Sequence, residues 1–358
     1  MNRNTGHRNA ALRRRVGADA VAESQVCSGR STRRQLLIAL GVSALAAPFA
    51  AFAQSRPARM PRMGFLTGGS AAAVAVRLDA LRAGLRELGH EEGKTIAIEY
   101  RFAEGQYDRL RGLAEALVKS GVDVLVTGGT PATRAAQQAT TTVPIVMSGV
   151  GDPVASGFVA SLARPGGNIT GTTNISPEIG AKRLDLMITT VPKLARVAVL
   201  LNAANPTRDT NFNVVLIAAQ PRGVQVVRVE ARTPQDIEQA FANMKRQRVN
   251  AFIVQTDQFF LEQRAQIIDL AARERLPAIY GDAEFTAAGG LMSYGTNVPR
   301  LYRRAAIYVD KILKGAKPGE LPVEQPMQFE LVFNNKTAKA LGIKIPQSIL
   351  ISADKVIE

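Results

Sequence analysis

The sequence predicts an α/β protein of two lobes, each a parallel sheet flanked by helices. Short apolar runs alternate with segments of helical periodicity from residue 60 onward. Such repeated βαβ order is typical of parallel sheets with helices on both faces. The alternation breaks at RPGGNITGTT (164–173), where proline and glycines indicate a crossing between lobes. A chain of 358 residues is long enough for two such units.

The first lobe begins with a strand, after which leucines at spacings of three and four predict a helix. Its third strand leads into VTGGTPATRAAQQA (126–139), where Thr130 is the predicted N-cap of a helix and Pro131 its first residue. A plain strand-to-helix turn and an anion site at the helix N-terminus both remain open for this stretch. The predicted strands are 63–66, 95–100, 122–126 and 144–147, and the predicted helices include 110–118 and 153–162.

The second lobe repeats the alternation. Its predicted strands are 196–201, 224–229, 251–255 and 278–280, and the helices between them include 234–246. No fixed-period repeat is visible, so the pattern indicates two similar lobes rather than a solenoid.

The first 53 residues predict an export signal peptide of the twin-arginine type. Arg33 and Arg34 directly precede an apolar stretch at 36–47, and Ala51-Phe52-Ala53 places small residues around a larger one. The apolar stretch is too short to span a membrane, and no later stretch offers about 18 uninterrupted apolar residues. An uncleaved anchor is the alternative.

Removal of this leader would leave few catalytic side chains. Cys27 and His7 precede the predicted cleavage site, so His90 would be the only histidine and no cysteine would remain. His90 follows a glycine at a predicted helix end, which favours a solvated role. The glycine-rich turns lack the lysine of a P-loop and the three-glycine dinucleotide spacing. We therefore expect no catalytic residues, no metal site and no cofactor.

The formal net charge of +15 does not by itself indicate a nucleic-acid partner. Part of the excess lies in the arginine-rich leader. The remaining basic residues alternate with acids along helices, as in RLDALRAGLRELGHEEG (77–93), and no basic run with interleaved aromatics occurs. We therefore expect solvated helix faces and no nucleic-acid binding.

Ligands of parallel sheets bind beyond the carboxyl ends of the strands, and two facing lobes form a cleft there. Glycines and hydroxyls of the first lobe favour a carboxylate, and acids and asparagines of the second lobe favour an ammonium group or another donor. The first-lobe candidates are Thr67, Gly68, Ser70, Gly129, Thr130, Pro131, Ala132, Thr133, Val150, Gly151 and Asp152. The second-lobe candidates are Asn202, Asn205, Asp257, Phe259, Asp282 and Glu284.

Several candidates have a structural alternative. The hydroxyls of Ser70 and Ser148 suit capping as well as ligand binding, and Phe259 suits a core as well as stacking on a ligand. For Asp257 and Asp282 we favour a role as acids that face the ligand. A role as surface acids comes second, and a role as a pair of metal ligands is a distant third.

Six segments form a linked set of motifs: AIEYRFAEGQYDRL (97–110), VTGGTPAT (126–133), TTVPIVMSGVGDPVASGFVASLARPGGNITG (141–171), GGLMSYG (289–295), ILKGAKPGELPVEQP (312–326) and TAKALGIKIPQSIL (337–350). As a set they resemble the substrate-binding proteins of ABC importers, in the family that includes tryptophan and tyrosine binders. The resemblance implies a two-lobed type I periplasmic-binding-protein fold with three crossings. Lobe one would comprise 57–169 plus 291–319, and lobe two 170–290 plus 320–358.

The resemblance also implies a monomeric periplasmic receptor that delivers a small carboxylate-bearing solute, an amino acid or a related compound, to an ABC permease in the inner membrane. The carboxylate would lie on the turn at 130–133 and the loop at 150–152, and Asp257, Asp282 or Glu284 would meet the amino group. The chain departs from the family by having Asp257-Gln258-Phe259 where amino-acid binders have Asp-Asn-Thr. A binding protein that feeds a sensor or chemoreceptor, or less readily an enzyme on the same fold, is the alternative.

Overall fold

The computed structural model describes residues 59–174 and 177–358, and the predicted export signal at 1–53 lies outside them. Two sheets in this part of the chain define two lobes. The first sheet has the order β2-β1-β3-β4-β5 and the second the order β12-β11-β10-β9-β8-β6-β7. The strands are β1 (Arg62–Thr67), β2 (Ala97–Phe102), β3 (Val124–Gly128), β4 (Ile145–Val150), β5 (Ile169–Thr173), β6 (Arg196–Asn202), β7 (Gln225–Ala231), β8 (Ala251–Val254), β9 (Ala278–Tyr280), β10 (Met292–Thr296), β11 (Phe329–Asn334) and β12 (Lys355–Ile357).

Helices cover both sheets. They are α1 (Ala75–Glu87), α2 (Leu110–Lys119), α3 (Gly129–Ala139), α4 (Pro177–Thr190), α5 (Arg208–Ala219), α6 (Pro234–Arg246), α7 (Gln258–Glu262), α8 (Arg264–Arg273), α9 (Ala283–Ala287), α10 (Val298–Leu313), α11 (Asn335–Leu341) and α12 (Gln347–Ser352). Because α10 packs along α1 and against β4, it belongs to the first lobe although it follows a strand of the second.

Each sheet is buried on both faces, which explains why its central strands are apolar without alternation. All five residues of β3 are buried, and the apolar side chains of the first sheet pack into one cluster with α1 and α10 and another with α2 and α3. The second sheet likewise separates two clusters. Burial of each large apolar side chain stabilises the fold by roughly 1.5 to 3 kcal/mol.

The predicted fold class is confirmed, with one addition. The described strand pairs of the first sheet are all parallel. In the second sheet β10 and β11 pair antiparallel, and the other described pairs are parallel.

The predicted helix at 153–162 is wrong. One helical turn forms there, with Ser156 N bonded to Asp152 O and Phe158 N bonded to Pro153 O. Gly157 then has φ +66°, and this left-handed conformation ends the turn before a second one can form.

The predicted lobe boundaries assign two strands to the wrong sheet. β5 pairs with β4 in the first sheet, although the predicted second lobe begins at 170. β10 pairs with β9 and β11 in the second sheet, although the predicted return to the first lobe begins at 291. The chain crosses after these strands because hydrogen bonds to the neighbouring strands hold β5 and β10 in their sheets.

Candidate functional site

The carboxyl ends of β1, β3 and β4 face those of β6, β8 and β9, and the two edges are in contact. Hydrogen bonds join them: Tyr107 Oη donates to Asp257 Oδ1 (2.9 Å), Ser70 N donates to Glu262 Oε2 (2.8 Å), and Arg232 Nη2 donates to both carboxylate oxygens of Asp108 (2.9 and 2.8 Å). The cleft between the strand ends of the two lobes is therefore closed in this structure.

A cavity of about 30 Å³ lies between the N-terminus of α3 and the second-lobe turn at 256–258. Three side chains that line it each carry a polar atom with no hydrogen-bond partner among the described residues: Ser148 Oγ, Gln258 Oε1 and Tyr302 Oη. All three side chains are buried. Because buried polar groups are almost always hydrogen-bonded, this concentration indicates a place where a ligand supplies the missing partners.

The N-terminus of α3 lines this cavity through Gly129, Thr130 and Pro131. The predicted N-cap at Thr130 is wrong, because the helix begins at Gly129 and its N-cap is Gly128. The Thr130 hydroxyl instead accepts a hydrogen bond from Gly151 N at 3.0 Å. The first N–H groups of a helix have no partner within it, so the start of α3 can receive an anion.

Three other first-lobe candidates lie inside the lobe. Ala132 and Val150 are fully buried in its core. Thr133 Oγ1 donates to Gly129 O at 2.9 Å and lies 2.8 Å from Thr127 Oγ1. These side chains position the helix and its turn rather than lining the cavity.

The remaining first-lobe candidates surround the cleft without sharing one role. Thr67 is fully buried beside Gly128. Gly68 lies against the second lobe, where a Cβ would come within 3.3 Å of Gln258 Cβ. Ser70 Oγ accepts from Ala73 N, and Asp152 Oδ1 accepts from Val154 N and Ala155 N, so both act as local caps.

Asp257 lines the same cavity from the second lobe, and four groups hold its carboxylate. Oδ1 accepts from Tyr107 Oη (2.9 Å), Asn202 Nδ2 (2.8 Å) and Phe259 N (2.9 Å), and Oδ2 accepts from Asn205 Nδ2 (2.7 Å). Burial raises the pKa of Asp257 although these donors favour the ionised form. Asn202 and Asn205 thus orient the acid, and the Phe259 ring packs in the second-lobe core.

Asp282 and Glu284 face Arg77 across the cleft. Arg77 Nη2 lies 3.3 Å from Asp282 Oδ1, and Arg77 Nε donates to Glu284 Oε1 at 3.0 Å. Burial raises the pKa of Asp282 to about 6. Burial acts in the same direction on Glu284, but there the charge of Arg77 and the hydrogen bonds to the carboxylate together outweigh it and lower the pKa. For Arg77 the two carboxylates outweigh burial and raise the pKa.

A second cavity, of about 270 Å³, adjoins the first and reaches into the second lobe. The two cavities share Asn174, Thr256 and Val298 as lining residues. From the first lobe the larger cavity is lined by Gly151, Asp152 and Val298. Most of its remaining wall comes from α4, α5, β6 and β8 and is largely apolar, with Arg183 and Asp282 as charged residues. The sequence candidates therefore divide between two neighbouring cavities.

Sequence reasoning did not select Arg77, Gln258, Tyr302 or Arg183. One signal was available for Arg77, since it precedes Leu81 by four residues and so shares the buried face of α1. A charged residue on an apolar helix face needs a buried partner. Tyr302 lies on α10, which reaches the cleft only through the return of the chain to the first lobe.

Within residues 59–174 and 177–358, no three or more His, Cys, Asp or Glu side chains are grouped so as to hold a metal ion. Over the same residues, no helix combines the length and apolar character that a bilayer crossing requires.

A family model described as "ABC transporter substrate binding protein" matches residues 70–357. A tyrosine-binding protein of Clostridioides difficile (strain R20291) is 26% identical over 273 residues, which are 76% of this chain and 76% of that protein.

Two solved structures are also similar. The conserved domain protein from Vibrio cholerae has a TM-score of 0.79 and 26% identity, and the match covers 83% of this chain and all of that one. An ABC domain in complex with L-Trp from Streptococcus pneumoniae has a TM-score of 0.78 and 25% identity, over 83% of this chain and 99% of that one. These neighbours confirm the type I periplasmic-binding-protein fold that the sequence motifs implied.

Proposed function

Because the chain belongs to the family of ABC transporter substrate-binding proteins, we propose that it is the monomeric, periplasmic solute receptor of an ABC importer. It binds a small solute that carries a carboxylate and an amino group, an amino acid or a related compound, by closing its two lobes. It then delivers the solute to a permease in the inner membrane.

The partnerless polar groups around the smaller cavity carry this proposal. Ser148 Oγ and Tyr302 Oη can both donate hydrogen bonds, and the N-terminus of α3 adds backbone donors. An unmade hydrogen bond of a buried group costs about 1 to 3 kcal/mol, so a carboxylate that accepts from several of these groups gains substantially on binding. These donors support our proposal of a carboxylate site at the turn 130–133.

Asp257 is the acid we assign to the amino group. Asp282 and Glu284 are both compensated by Arg77. Asp257 has only neutral donors, and it lines the cavity opposite the start of α3. An ammonium group beside it would supply the positive charge that a buried carboxylate requires.

The relatives support the amino-acid class. One is named for tyrosine, and the neighbour from Streptococcus pneumoniae was solved with L-Trp. The Phe259 side chain, two residues after Asp257 in the chain, packs in the core and not in the cavity. We therefore assign amino acids as the class of solute for this protein. We do not assign an aromatic side chain to that solute.

The closed cleft also suggests the mechanism. A cavity of about 30 Å³ has the volume of about one water molecule. Entry of an amino acid therefore requires the lobes to separate at the three crossings and to close again on the solute.

Export precedes this function. The arginine pair at Arg33 and Arg34 favours the twin-arginine route, and a general secretory signal is the alternative.

The test is a melting series of the protein purified from the periplasm against the twenty amino acids and their deaminated carboxylate analogues. At least one amino acid should give a saturable upward shift, because a ligand at 100 times its Kd stabilises the folded state by about 2.7 kcal/mol. Its deaminated analogue should shift melting less. No shift with any zwitterion, together with turnover of a substrate, would favour an enzyme instead.

A further inference from the structure

Arg183 is a buried cation whose charge the described residues leave largely uncompensated. It lies on α4, 8% exposed, and its Nε donates to Tyr294 O at 2.8 Å. Among the described residues, no carboxylate oxygen lies within 4.0 Å of its guanidinium nitrogens. The guanidinium has five N–H donors, so its Nη groups retain donors that no described residue accepts.

The site around Arg183 is built to hold the guanidinium in place. A Cβ on Gly281 would lie 2.8 Å from Arg183 Nη2, and a Cβ on Gly295 would lie 3.3 Å from it. Two glycines therefore leave the space that the charged group occupies. Burial lowers the pKa of Arg183 to about 10, which Asp282 only partly offsets, and the side chain stays charged at neutral pH.

The larger cavity lies in front of this charge. Its volume is about 270 Å³, and Val199, Val214 and Ile253 form part of its apolar wall. Through Asn174 and Thr256 it adjoins the cavity in which we place the carboxylate and the amino group. A solute held there by these two groups can extend an aliphatic chain along the apolar wall toward Arg183.

We propose that Arg183 binds a second carboxylate of the solute. This step rests on the proposed function, which supplies the first carboxylate and the amino group. The preferred solute class is then an amino acid with an aliphatic side chain that ends in a carboxylate. The free Nη edge of an arginine suits this group because guanidinium and carboxylate form paired, parallel hydrogen bonds.

The experiment compares acidic and neutral amino acids of matched length on the full protein. The probes are L-glutamate with L-glutamine, and L-2-aminoadipate and L-2-aminopimelate with L-norleucine, each titrated by calorimetry. At least one diacid should bind about tenfold or more tightly than its neutral counterpart, as expected for a charge-assisted pair in a buried site.

Two variants on the same helix test the residue itself. Arg183→Gln keeps a donor near Tyr294 O but removes the charge, and it should abolish the preference for the diacid over the neutral probe. Lys182→Gln removes the same charge from an exposed neighbour, and it should behave as the unmodified protein. Arg183→Lys keeps the charge, should retain part of the preference, and replaces Arg183→Gln if that variant does not fold.

Equal affinities of the unmodified protein for diacid and neutral probes would overturn the assignment of Arg183, and so would a preference that survives Arg183→Gln. In both cases neutral amino acids still bind, so the proposed receptor function stands. If no amino acid of either kind binds, the proposed function fails and this inference fails with it.

Discussion

The molecule buries two arginines beside the cleft in opposite electrostatic surroundings. Arg77 of the first lobe lies against two carboxylates of the second, with distances of 3.3 Å to Asp282 Oδ1 and 3.0 Å to Glu284 Oε1. Arg183 of the second lobe donates from Nε to a backbone carbonyl and faces a cavity. The pKa of Arg183 is lowered by burial, whereas at Arg77 the carboxylates outweigh burial and raise the pKa.

The difference separates two uses of a buried charge. A cation on one lobe that meets anions on the other favours the arrangement in which the lobes touch. A cation without such partners favours whatever anion enters from solution. We therefore expect changes at Arg77 to alter closure, and changes at Arg183 to alter the choice of solute.

Replacement of Arg77 is expected to have the largest effect. Arg77→Met leaves Asp282 and Glu284 as neighbouring buried acids, and loss of one partner of a buried ion pair typically costs 3 to 5 kcal/mol. The lobes can escape this cost by separating, because separation exposes both acids to water. Small-angle scattering should therefore show a larger radius of gyration than for the unmodified protein at neutral pH.

Arg86→Met is the matched control, since Arg86 is an exposed residue near the end of the same helix. It should leave the scattering profile unchanged. Identical profiles for the two variants would contradict a role of Arg77 in closure.

A smaller effect, on the free energy of unfolding, is expected from the titration of Asp282. Its pKa rises from 3.8 to about 6 in the folded protein, because burial outweighs the nearby arginines. The folded state therefore holds this proton more tightly than the unfolded chain. The resulting stability is fully present below pH 4 and is lost as the pH rises through about 6.

Asp282→Asn cannot ionise and should lack this loss. Between pH 4 and pH 7 the free energy of unfolding of the unmodified protein should fall relative to the variant by on the order of 1 to 3 kcal/mol, measured by urea denaturation. Asp79→Asn is the control: it removes a carboxylate at an exposed position and should leave the pH dependence of the unfolding free energy unchanged. Parallel profiles for the unmodified protein and Asp282→Asn would show that burial does not control this titration.

The smallest effect is expected from a neutral hydrogen bond within the first lobe. Thr130→Val removes the hydroxyl that accepts from Gly151 N at 3.0 Å and leaves a backbone N–H without its partner. The free energy of unfolding should drop by about 1 to 2 kcal/mol, without a change in the scattering profile. Thr130→Ser keeps the oxygen and should retain the stability; equal losses in both variants would assign the effect to packing.

The fold class was predictable because it depends on local patterns. Helix α6 and strand β9 have the predicted bounds, since Pro234 at the helix start and the short apolar run at 278–280 are local signals. The predicted helix at 153–162 failed because Gly157 adopts a left-handed conformation, which the neighbouring apolar periodicity does not reveal.

The candidate site was less predictable because side chains far apart in sequence form it. The turns after the strands supplied the candidates, and of these Thr130, Asn205 and Asp257 line one cavity. Thr130 was expected to cap a helix, but it bonds to Gly151, 21 residues later in the chain. Arg77 and Tyr302 enter the site from helix faces, and only the docking of α10 on α1 brings them to it.

The pair formed by Asp108 and Arg232 has a practical consequence. These residues join the two lobes but are exposed, and the single cysteine of the chain is Cys27, within the predicted leader. In a protein that lacks residues 1–53, cysteines introduced at these two positions would therefore be the only thiols. Dyes attached there would change their mutual distance when the lobes move, which makes the protein a scaffold for an optical sensor of its own solute.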